Sequence, residues 1–479
     1  MKNKNRTKKE ISFIGIILFL LSLAGIGYLL YVVFSNSLLD INYRLILLGL
    51  SVVFEIFVGW YLIYKRKNKA LKILLSVLVL IVSATAAGAS NYVDQSMKSL
   101  DIISGKQETY QFSLVVPIDS KIESISDIEN KEVLSALKID EANVNTFKTK
   151  MIYKENKSLN YVDGGDYFSM SKKVSEKEAD VILLNESYRS AIVDQIPDFE
   201  KKTKVIYSTD FKGKNKLAHK EIKKNQPFNV YISGIDTFGK ISNVSRSDVN
   251  LLVTVNPKNN KILITTVPRD TYTKIAGGGN DEYDKFTHSG IYGINSSVKT
   301  MENLLDTDVN YYVRVNFSTL IKIVDVLGGV DVDNKQAFSV GSYYFDAGKI
   351  HLNGKEALVY ARDRYHQENG DMDRGRNHEK ILAAIIDKAT KANSMADYQE
   401  MLNVATESSE TNMPKTKIIE LINRQINMNK NWDYQMQDLK GQGTMGKPSY
   451  AMPGSRLYMF VPYDESIRLI KSEIDKNLQ

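Results

Sequence analysis

The chain has 479 residues, of which 43% are hydrophobic and 25% are charged, so it is long enough for more than one domain and too apolar to be mainly disordered. It has no cysteine, which excludes disulfides, cysteine-ligated zinc and thiol nucleophiles, and its five histidines include no HExxH pair. The formal net charge of +7 would suit binding to nucleic acid or to an anionic surface, unless the positive charge is local.

Three apolar segments near the N-terminus predict a membrane anchor. They cover residues 11–34, 45–64 and 73–89, and each is close to the roughly 20 residues that a membrane-spanning helix needs. Basic residues cluster before the first segment and between the second and third, which predicts that both clusters are cytoplasmic. We therefore expect residues 1–92 to be a multi-pass anchor in the cell membrane, with its N-terminus cytoplasmic and everything after it extracellular.

The net charge belongs to this anchor. Residues 1–72 contain 11 Lys and Arg against three Asp and Glu, and the rest of the chain has 52 basic and 53 acidic residues. The charge is therefore a topology signal, and we expect no nucleic-acid partner. Glu55 lies inside the second apolar segment, where we expect an interhelical hydrogen bond or a protonated carboxyl rather than a functional role.

Residues 93–222 predict a small extracellular α/β accessory domain without a chemical motif. Residues 110–117 and 181–184 resemble strands, and residues 127–137 resemble a helix. The lysine-rich stretch 212–224 is typical of a solvated linker, so a domain boundary is expected near residue 222.

Residues 223–479 predict a layered α/β/α catalytic domain with a mixed central sheet. Residues 249–256 and 261–267 suit a hairpin, because a short turn containing proline joins them. A helix at 318–327 should end at Gly328 and Gly329 and lead into a short strand. Further strands are predicted at 228–235 and 311–316, a further helix at 291–305, and amphipathic helices that complete the fold at 396–479.

Charged residues gather at the predicted strand ends. Asp236 follows the first strand of this domain and Asp248 begins the second, so antiparallel pairing would bring the two carboxylates together. Two such carboxylates repel each other unless a proton or a cation lies between them, and Mg²⁺ with phosphate oxygens fits that need. Turn chemistry, which favours Asp at strand ends, explains the two residues equally well.

A set of arginines favours binding of an anion. If extended, Arg362 and Arg364 project to the same side, while Arg374, Asn377 and His378 share one face of a predicted helix. The planar guanidinium makes bidentate hydrogen bonds to phosphate, so several arginines facing a metal-bound carboxylate describe a pyrophosphate clamp. The alternative is a surface ion-pair network with neighbouring aspartates.

Five motifs occur in order over residues 228–392: GID at 234–236, SRSD at 245–248, VPRD at 267–270, GGV at 328–330, and ARDR with DMDRGR at 361–376. On these motifs the chain resembles the LytR–CpsA–Psr family. Its three-span anchor, followed by a polar domain, is similar to the streptococcal capsule branch of that family, CpsA.

The resemblance implies a phosphotransferase that attaches capsular polysaccharide, a glycopolymer, to a hydroxyl of peptidoglycan. The donor would be a polyprenyl (undecaprenyl) pyrophosphate carrier, and the reaction would leave a phosphodiester link and polyprenyl phosphate. Membrane lipid and capsule-synthesis membrane proteins are expected as further partners. A pyrophosphatase that releases the polymer to water, and a non-catalytic regulator of capsule synthesis that binds the carrier lipid, remain as alternatives.

The resemblance also assigns roles to the motif residues. Asp236 and Asp248 would hold Mg²⁺, with Asp248 activating the acceptor hydroxyl. Arginines would hold the pyrophosphate and stabilise its charge: Arg269, Arg362, Arg364 and Arg374. Residues with weaker assignments to the head group are Arg246, which also suits a structural partner of the aspartates, Lys299, and His378, which stands where the family often has Gln. An apolar tunnel for the lipid would draw on residues 311–315, 320–327 and 381–386, although core packing explains each of these residues as well.

Overall fold

The computed structural model describes residues 12–36, 41–64, 69–105, 108–213, 220–235, 243–363, 371–391, 395–428 and 430–479. The chain forms two compact units, one of Met1–Ile102 with Pro414–Met428 and the other of Ile103–Met413 with Asn429–Gln479.

The first unit contains three helices that are long and apolar enough to cross a membrane, as predicted. They are α1 (Phe13–Ser35), α2 (Ile41–Ile63) and α3 (Lys69–Gly105). The Ser22 hydroxyl of α1 donates a 2.6 Å hydrogen bond to the Glu55 carboxylate of α2, which confirms the expected interhelical contact. The helix Lys415–Met428 belongs to the same unit, and Lys415 pairs with Asp101 at 3.0 Å. This helix therefore does not join the predicted catalytic fold.

The segment before residue 222 forms a five-stranded mixed sheet in the order β3-β2-β4-β1-β5. Its elements are β1 (Thr109–Pro117), β2 (Glu132–Ser135), α4 (Glu141–Glu155), β3 (Asn160–Asp163), α5 (Tyr167–Ser175), β4 (Ile182–Asn185), α6 (Arg189–Gln195), α7 (Phe199–Lys202) and β5 (Thr203–Lys212). The predicted helix at 127–137 is wrong, because a 3₁₀ turn, Ile125–Ile128, leads directly into β2. There Val133 is fully buried, and β2 pairs with strands on both sides.

A six-stranded sheet lies entirely after residue 222, with strand order β16-β11-β6-β7-β8-β17. Its strands are β6 (Phe228–Ile235), β7 (Ser247–Asn256), β8 (Lys261–Thr266), β11 (Tyr311–Asn316), β16 (Ser409–Thr411) and β17 (Asp433–Asp438). The strands β6, β7 and β8 are antiparallel neighbours, whereas β11 runs parallel to β6 and β17 parallel to β8. The predicted hairpin and the mixed character of the sheet are therefore confirmed.

Helices cover both faces of this sheet and complete the three layers. On one face, Tyr231 and Leu252 pack against Met301 and Ile474 from two helices. Because side chains alternate along a strand, Ile232 and Leu251 point to the other face, where Ile381 also lines their surroundings. The helices of this unit after residue 222 are α8 (Ile294–Leu305), α9 (Phe317–Val326), α10 (Gly354–Arg362), α11 (Asp371–Thr390), α12 (Met395–Ser408) and α14 (Asp464–Asn477). The helix Lys415–Met428 of the first unit is α13.

Small strand pairs and glycine turns finish the unit. The paired strands are β9 (Tyr272–Lys274) with β10 (Tyr283–Lys285), β12 (Val330–Asn334) with β15 (Gly348–Leu352), β13 (Phe338–Val340) with β14 (Tyr343–Phe345), and β18 (Gly441–Met445) with β19 (Tyr458–Pro462). As predicted, α9 ends before Gly328 and Gly329, whose φ angles of 70° and 88° lead into β12. Residues 396–479 contain helices, as predicted, but this stretch also supplies both edge strands of the main sheet, which the sequence analysis did not predict.

The core of the five-stranded sheet includes residues from beyond the predicted boundary. Most of the core beneath the five-stranded sheet comes from residues 112–199, but Ile291, Met452 and Met459 also belong to it. The predicted boundary near residue 222 thus separates the two sheets in sequence, while side chains from beyond it complete the core of the first.

Candidate active site

The strand β7 begins with a bulge that displaces Asp248 from the regular ladder. Gly234 of β6 pairs with Val249, and the next residue, Ile235, pairs with Ser247, so Asp248 is the extra residue on β7. Bulges re-aim a side chain and are common beside active sites. Asp236 follows Ile235 directly but lies outside the described residues, so its closeness to Asp248 stays a prediction.

Asp248 is buried and accepts two side-chain hydrogen bonds. The Arg269 Nη1 donates to its Oδ1 at 2.7 Å, and the Thr287 hydroxyl donates to the same oxygen at 3.0 Å. The Thr287 amide also donates to the Arg269 carbonyl at 2.8 Å, which fixes the two donors relative to each other. A buried, charge-assisted pair of this kind holds both side chains in one geometry.

A second pair continues from Arg269. The Arg269 Nε lies 3.7 Å from the Asp270 carboxylate, and the Lys285 ammonium donates to Asp270 Oδ1 at 2.6 Å. All of these side chains are mostly buried. Two buried carboxylates, those of Asp248 and Asp270, therefore hold the Arg269 guanidinium.

A network of hydroxyl and amide groups supports the bulge from within the sheet. The Tyr231 hydroxyl lies 2.9 Å from the Ser247 hydroxyl and donates to Asn250 Oδ1 at 2.6 Å. Ser233 and Ser247 share a further hydrogen bond of 2.7 Å. Burial raises the pKa of Tyr231 to about 12, so its phenol stays neutral and can donate at physiological pH. The start of β7 is thereby preorganised by buried, satisfied polar groups.

An apolar pocket, open to solvent, adjoins the bulge. Its lining comes from β6, β7, β11, α9 and α11: Ile232, Gly234, Ile235, Val249, Leu251, Val315, Asn316, Leu320, His378, Ile381, Leu382 and Ile385. The three ranges proposed for a lipid tunnel each contribute at least one of these residues. Ile381 is also fully buried within the hydrophobic core, so core packing and pocket lining apply together.

Comparison with known proteins identifies the family. The LytR_cpsA_psr family model matches residues 193–461, which is more than half of the chain. The polyisoprenyl-teichoic acid–peptidoglycan teichoic acid transferase TagU of Bacillus subtilis is 35% identical over 240 residues, or 50% of this chain and 76% of the relative. The chain belongs to the LytR–CpsA–Psr family. The capsule branch of the family stays a prediction.

A further relative and a solved structure also match about half of this chain. The protein with the same name from Bacillus cereus is 35% identical over 213 residues, covering 44% of this chain and 68% of the relative. The crystal structure of B. subtilis TagU is 32% identical and covers 53% of this chain and 97% of its own, with a TM-score of 0.42. A second family model, DNA polymerase processivity factor, matches residues 66–184, which begin inside the anchor.

The arginines predicted from the family motifs have different positions. Arg246 is buried and donates to the Asp194 carboxylate at 2.7 Å. Arg362 is the last residue of α10, so the idea of an extended strand carrying Arg362 and Arg364 is wrong for Arg362. Arg364 lies outside the described residues, and Arg374 lies on α11 with its side chain outside them.

The remaining candidates also differ in surroundings. His378 lines the apolar pocket, whereas its helix neighbour Asn377 donates to the Tyr360 carbonyl at 3.2 Å and fastens α11 to α10. Lys299 is exposed on α8 beside Gly277, where a Cβ on the glycine would lie 3.8 Å from its ammonium nitrogen. The lysine thus has no contact here with the Asp248 group among the described hydrogen bonds and ion pairs.

The sequence analysis gave no role to three residues of the site: Asp270, Lys285 and Thr287. Asp270 stands in the VPRD motif and could have been found as a partner for Arg269, since adjacent opposite charges often pair. Thr287 and Lys285 come from a stretch without a motif, and only the fold brings them to Asp248 and Asp270.

The described residues contain no group of three or more His, Asp or Glu that could hold a metal ion. At the start of β7 they do supply a buried carboxylate, Asp248, whose hard oxygen atoms suit Mg²⁺. Magnesium commonly binds through one or two carboxylates together with substrate phosphates, so Asp248 fits such a site if Asp236 and a pyrophosphate complete it.

Proposed function

We propose that this protein is a membrane-anchored phosphotransferase that attaches a glycopolymer from a polyprenyl pyrophosphate carrier to a hydroxyl of peptidoglycan. Membership of the LytR–CpsA–Psr family supports this activity, as do relatives named polyisoprenyl-teichoic acid–peptidoglycan teichoic acid transferases. The three apolar helices and the polar segment that follows them resemble the capsule branch of the family, and this resemblance favours capsular polysaccharide as the polymer and undecaprenyl as the carrier.

One observation carries the proposal: a buried carboxylate–guanidinium pair adjoins an apolar pocket. Val249 lines that pocket, and its chain neighbour Asp248 pairs with Arg269. A polyprenyl pyrophosphate has the same division, with a long hydrocarbon chain joined to a dense anionic head group. The pocket would take the first part of the chain, and the guanidinium would contact the head group.

The reaction is a displacement at phosphorus. The oxygen of the acceptor hydroxyl forms a bond to the phosphorus that carries the polymer, and the bond from that phosphorus to the bridging oxygen breaks. Polyprenyl phosphate leaves with the bridging oxygen, and Asp248 accepts the proton of the hydroxyl. Arg269 stabilises the charge that develops on the phosphate oxygens, together with the motif residues Arg362, Arg364 and Arg374.

We further propose that the enzyme depends on Mg²⁺ held by Asp248 and Asp236. A bound magnesium ion would neutralise part of the pyrophosphate charge. Asp248 would remain fixed by Arg269 and Thr287 through one oxygen, Oδ1. Chelation should therefore stop transfer, and added Mg²⁺ should restore it.

The direct test uses the full-length protein in detergent with a lipid-linked polymer and peptidoglycan. We expect polymer bound covalently to peptidoglycan and an equal amount of released polyprenyl phosphate. A chelator such as EDTA should abolish both products, and Mg²⁺ should recover them. Polymer released to water in place of attachment would identify a pyrophosphatase, and bound lipid without turnover would identify a regulator.

The pocket provides a matched pair of variants for the same assay. Leu320 lines it from α9, so Leu320→Trp should fill space that the lipid needs, whereas Leu320→Met nearly conserves volume. The tryptophan variant should lose polyprenyl phosphate detected by mass spectrometry in the purified protein, and the methionine variant should keep it. Equal lipid content in both variants would argue against the pocket as the lipid site.

The charge pattern predicts that the active site is extracellular. Alkaline phosphatase is active only outside the cytoplasm, so a fusion of this reporter after residue 200 should be active. A fusion after residue 67, in the basic stretch between the second and third apolar segments, should be inactive. An inactive fusion at residue 200 would place the catalytic segment in the cytoplasm, away from peptidoglycan.

A further inference from the structure

The segment that leads into Asp248 is hydrogen-bonded to the five-stranded sheet formed before residue 222. This segment, residues 243–248, is called the arm below. The five-stranded sheet is called the accessory sheet, and residues 108–213, which form it and its helices, are called the accessory segment. Asn243 forms a parallel bridge with Thr109, the first residue of β1, and the Val244 amide donates to the Thr109 carbonyl at 3.0 Å. Backbone hydrogen bonding from the accessory sheet therefore extends to a point four residues before Asp248.

An ion pair adds a second attachment between the arm and the accessory segment. Arg246 is only 6% exposed, and its Nη1 donates to Oδ2 of Asp194 at 2.7 Å. Asp194 lies on the short helix α6, 52 residues earlier in the chain. A buried guanidinium is costly without an anionic partner, so the position of Asp194 constrains where Arg246 can lie.

The opposite side of the arm is packed without free space. A Cβ on Gly290 would lie 2.5 Å from both the Ser245 carbonyl oxygen and the Ser247 amide nitrogen. Gly290 belongs to the 3₁₀ helix Phe286–Tyr292, which also carries Thr287, the hydroxyl donor to Asp248. The arm is thus confined between this 3₁₀ helix and the accessory segment.

The same 3₁₀ helix also contacts the accessory segment at its far end. The Tyr110 hydroxyl donates to the Tyr292 carbonyl at 3.3 Å, and the rings of Tyr188 and Tyr292 pack edge to face. Both structures that hold Asp248, the arm and the 3₁₀ helix, therefore have direct contacts with residues before 222.

We propose that Asp194 is a positioning residue for the transfer reaction and that the accessory segment contributes to turnover by holding the arm in place. Asp194 fixes Arg246, and Arg246 fixes the arm that presents Asp248 at the β7 bulge. The proposal rests on the proposed function for its activity measurement. An accessory segment that only bound a partner or stabilised the fold would leave turnover intact in a folded variant.

The test compares Asp194→Asn, Asp194→Glu and Asp198→Asn in the full-length protein. Asp194→Asn keeps the volume but loses the charge, so we expect turnover to fall about 10- to 100-fold, with the KM for the lipid-linked donor and the melting temperature nearly unchanged. Asp194→Glu should restore most of the turnover because it restores the anion. Asp198 is exposed and pairs with Lys201, so Asp198→Asn should match the wild-type protein.

Hydrogen–deuterium exchange gives a readout that does not need catalysis. Peptides covering the arm should exchange faster in Asp194→Asn than in the wild-type protein, while peptides from β4 should not change. Wild-type turnover in Asp194→Asn, or unchanged exchange of the arm, would overturn the proposal. The proposal would also be overturned if the loss of turnover in Asp194→Asn came with a lower melting temperature and Asp194→Glu did not restore the turnover. A wild-type protein without transfer activity would reject the proposed function, while exchange of the arm would still decide the role of Asp194.

Discussion

Replacing Asp248 with Asn should abolish polymer transfer while the protein stays folded and membrane-inserted. The amide has nearly the same shape and can still accept hydrogen bonds from Arg269 and Thr287, so the local geometry should survive. It cannot accept the proton of the acceptor hydroxyl, and it is a poorer ligand for a hard cation. We expect at least about a 10³-fold loss of turnover, which combines the loss of general-base and charge effects.

The measurement is attachment of polymer to peptidoglycan by the full-length variant. Asp433→Asn is the matched control, because Asp433 is an exposed residue on the edge strand β17 of the same sheet. A melting temperature close to wild type should accompany the loss in Asp248→Asn and separate chemistry from unfolding. Full transfer by Asp248→Asn together with full transfer by Arg362→Ala would reject the enzyme interpretation.

Hydrophobic patterning was sufficient to predict the inner strands of the main sheet. The strands β6, β7, β8 and β11 are apolar and largely buried, so their residues stand out from the flanking polar turns. The edge strand β17 has the sequence DYQMQD and is largely exposed or half-buried, so it gives no such signal. The edge strand β16 has three residues, too few for any periodic pattern. Both edges are therefore fixed by pairing with distant strands rather than by local sequence.

The sequence predicted only part of the candidate active site, because some of its geometry depends on strand register and on long-range contacts. Antiparallel pairing of β6 with β7 could be inferred from order and spacing, but the bulge that displaces Asp248 depends on a register shift of one residue. The sequence also placed Arg246 near the aspartates, whereas its observed partner, Asp194, lies on the helix α6, 52 residues earlier in the chain. Long-range partners of this kind carry no local signature, because the side-chain contact forms only after two separate segments have folded.

The buried residue Arg314 should have the largest effect on stability. It lies on β11, is only 2% exposed, and pairs with Glu108 at 3.0 Å and with Glu410 at 3.9 Å. Its Nη2 also donates to the Asn243 carbonyl at 2.7 Å, at the beginning of the arm. Arg314→Met would leave two buried carboxylates without their cation. Breaking a buried ion pair from one side costs about 3–5 kcal/mol in free energy of unfolding, a large fraction of a typical total.

The pH dependence of this loss distinguishes a charge effect from a packing effect. Burial raises the pKa of Glu108 above its ordinary value of 4.5, Arg314 opposes this shift, and Glu410 adds to it. A carboxyl with a raised folded-state pKa binds more protons in the folded state, so stability increases as pH falls from that pKa toward 4.5 and is lowest at neutral pH. Without Arg314 the pKa of Glu108 should rise further.

Arg314→Met should therefore be most destabilised at about pH 7.5 and should recover part of the loss at about pH 5.5. Denaturant unfolding of the full-length protein in detergent, compared with wild type at both pH values, measures the change. The double variant Arg314→Met with Glu410→Gln should also recover stability, because one of the two unpaired charges is then removed. Arg468→Met, on the exposed side of α14, is the control for losing an arginine. An equal loss at both pH values, or a loss no greater than that of Arg468→Met, would show that the buried charge at position 314 does not hold this part of the fold together.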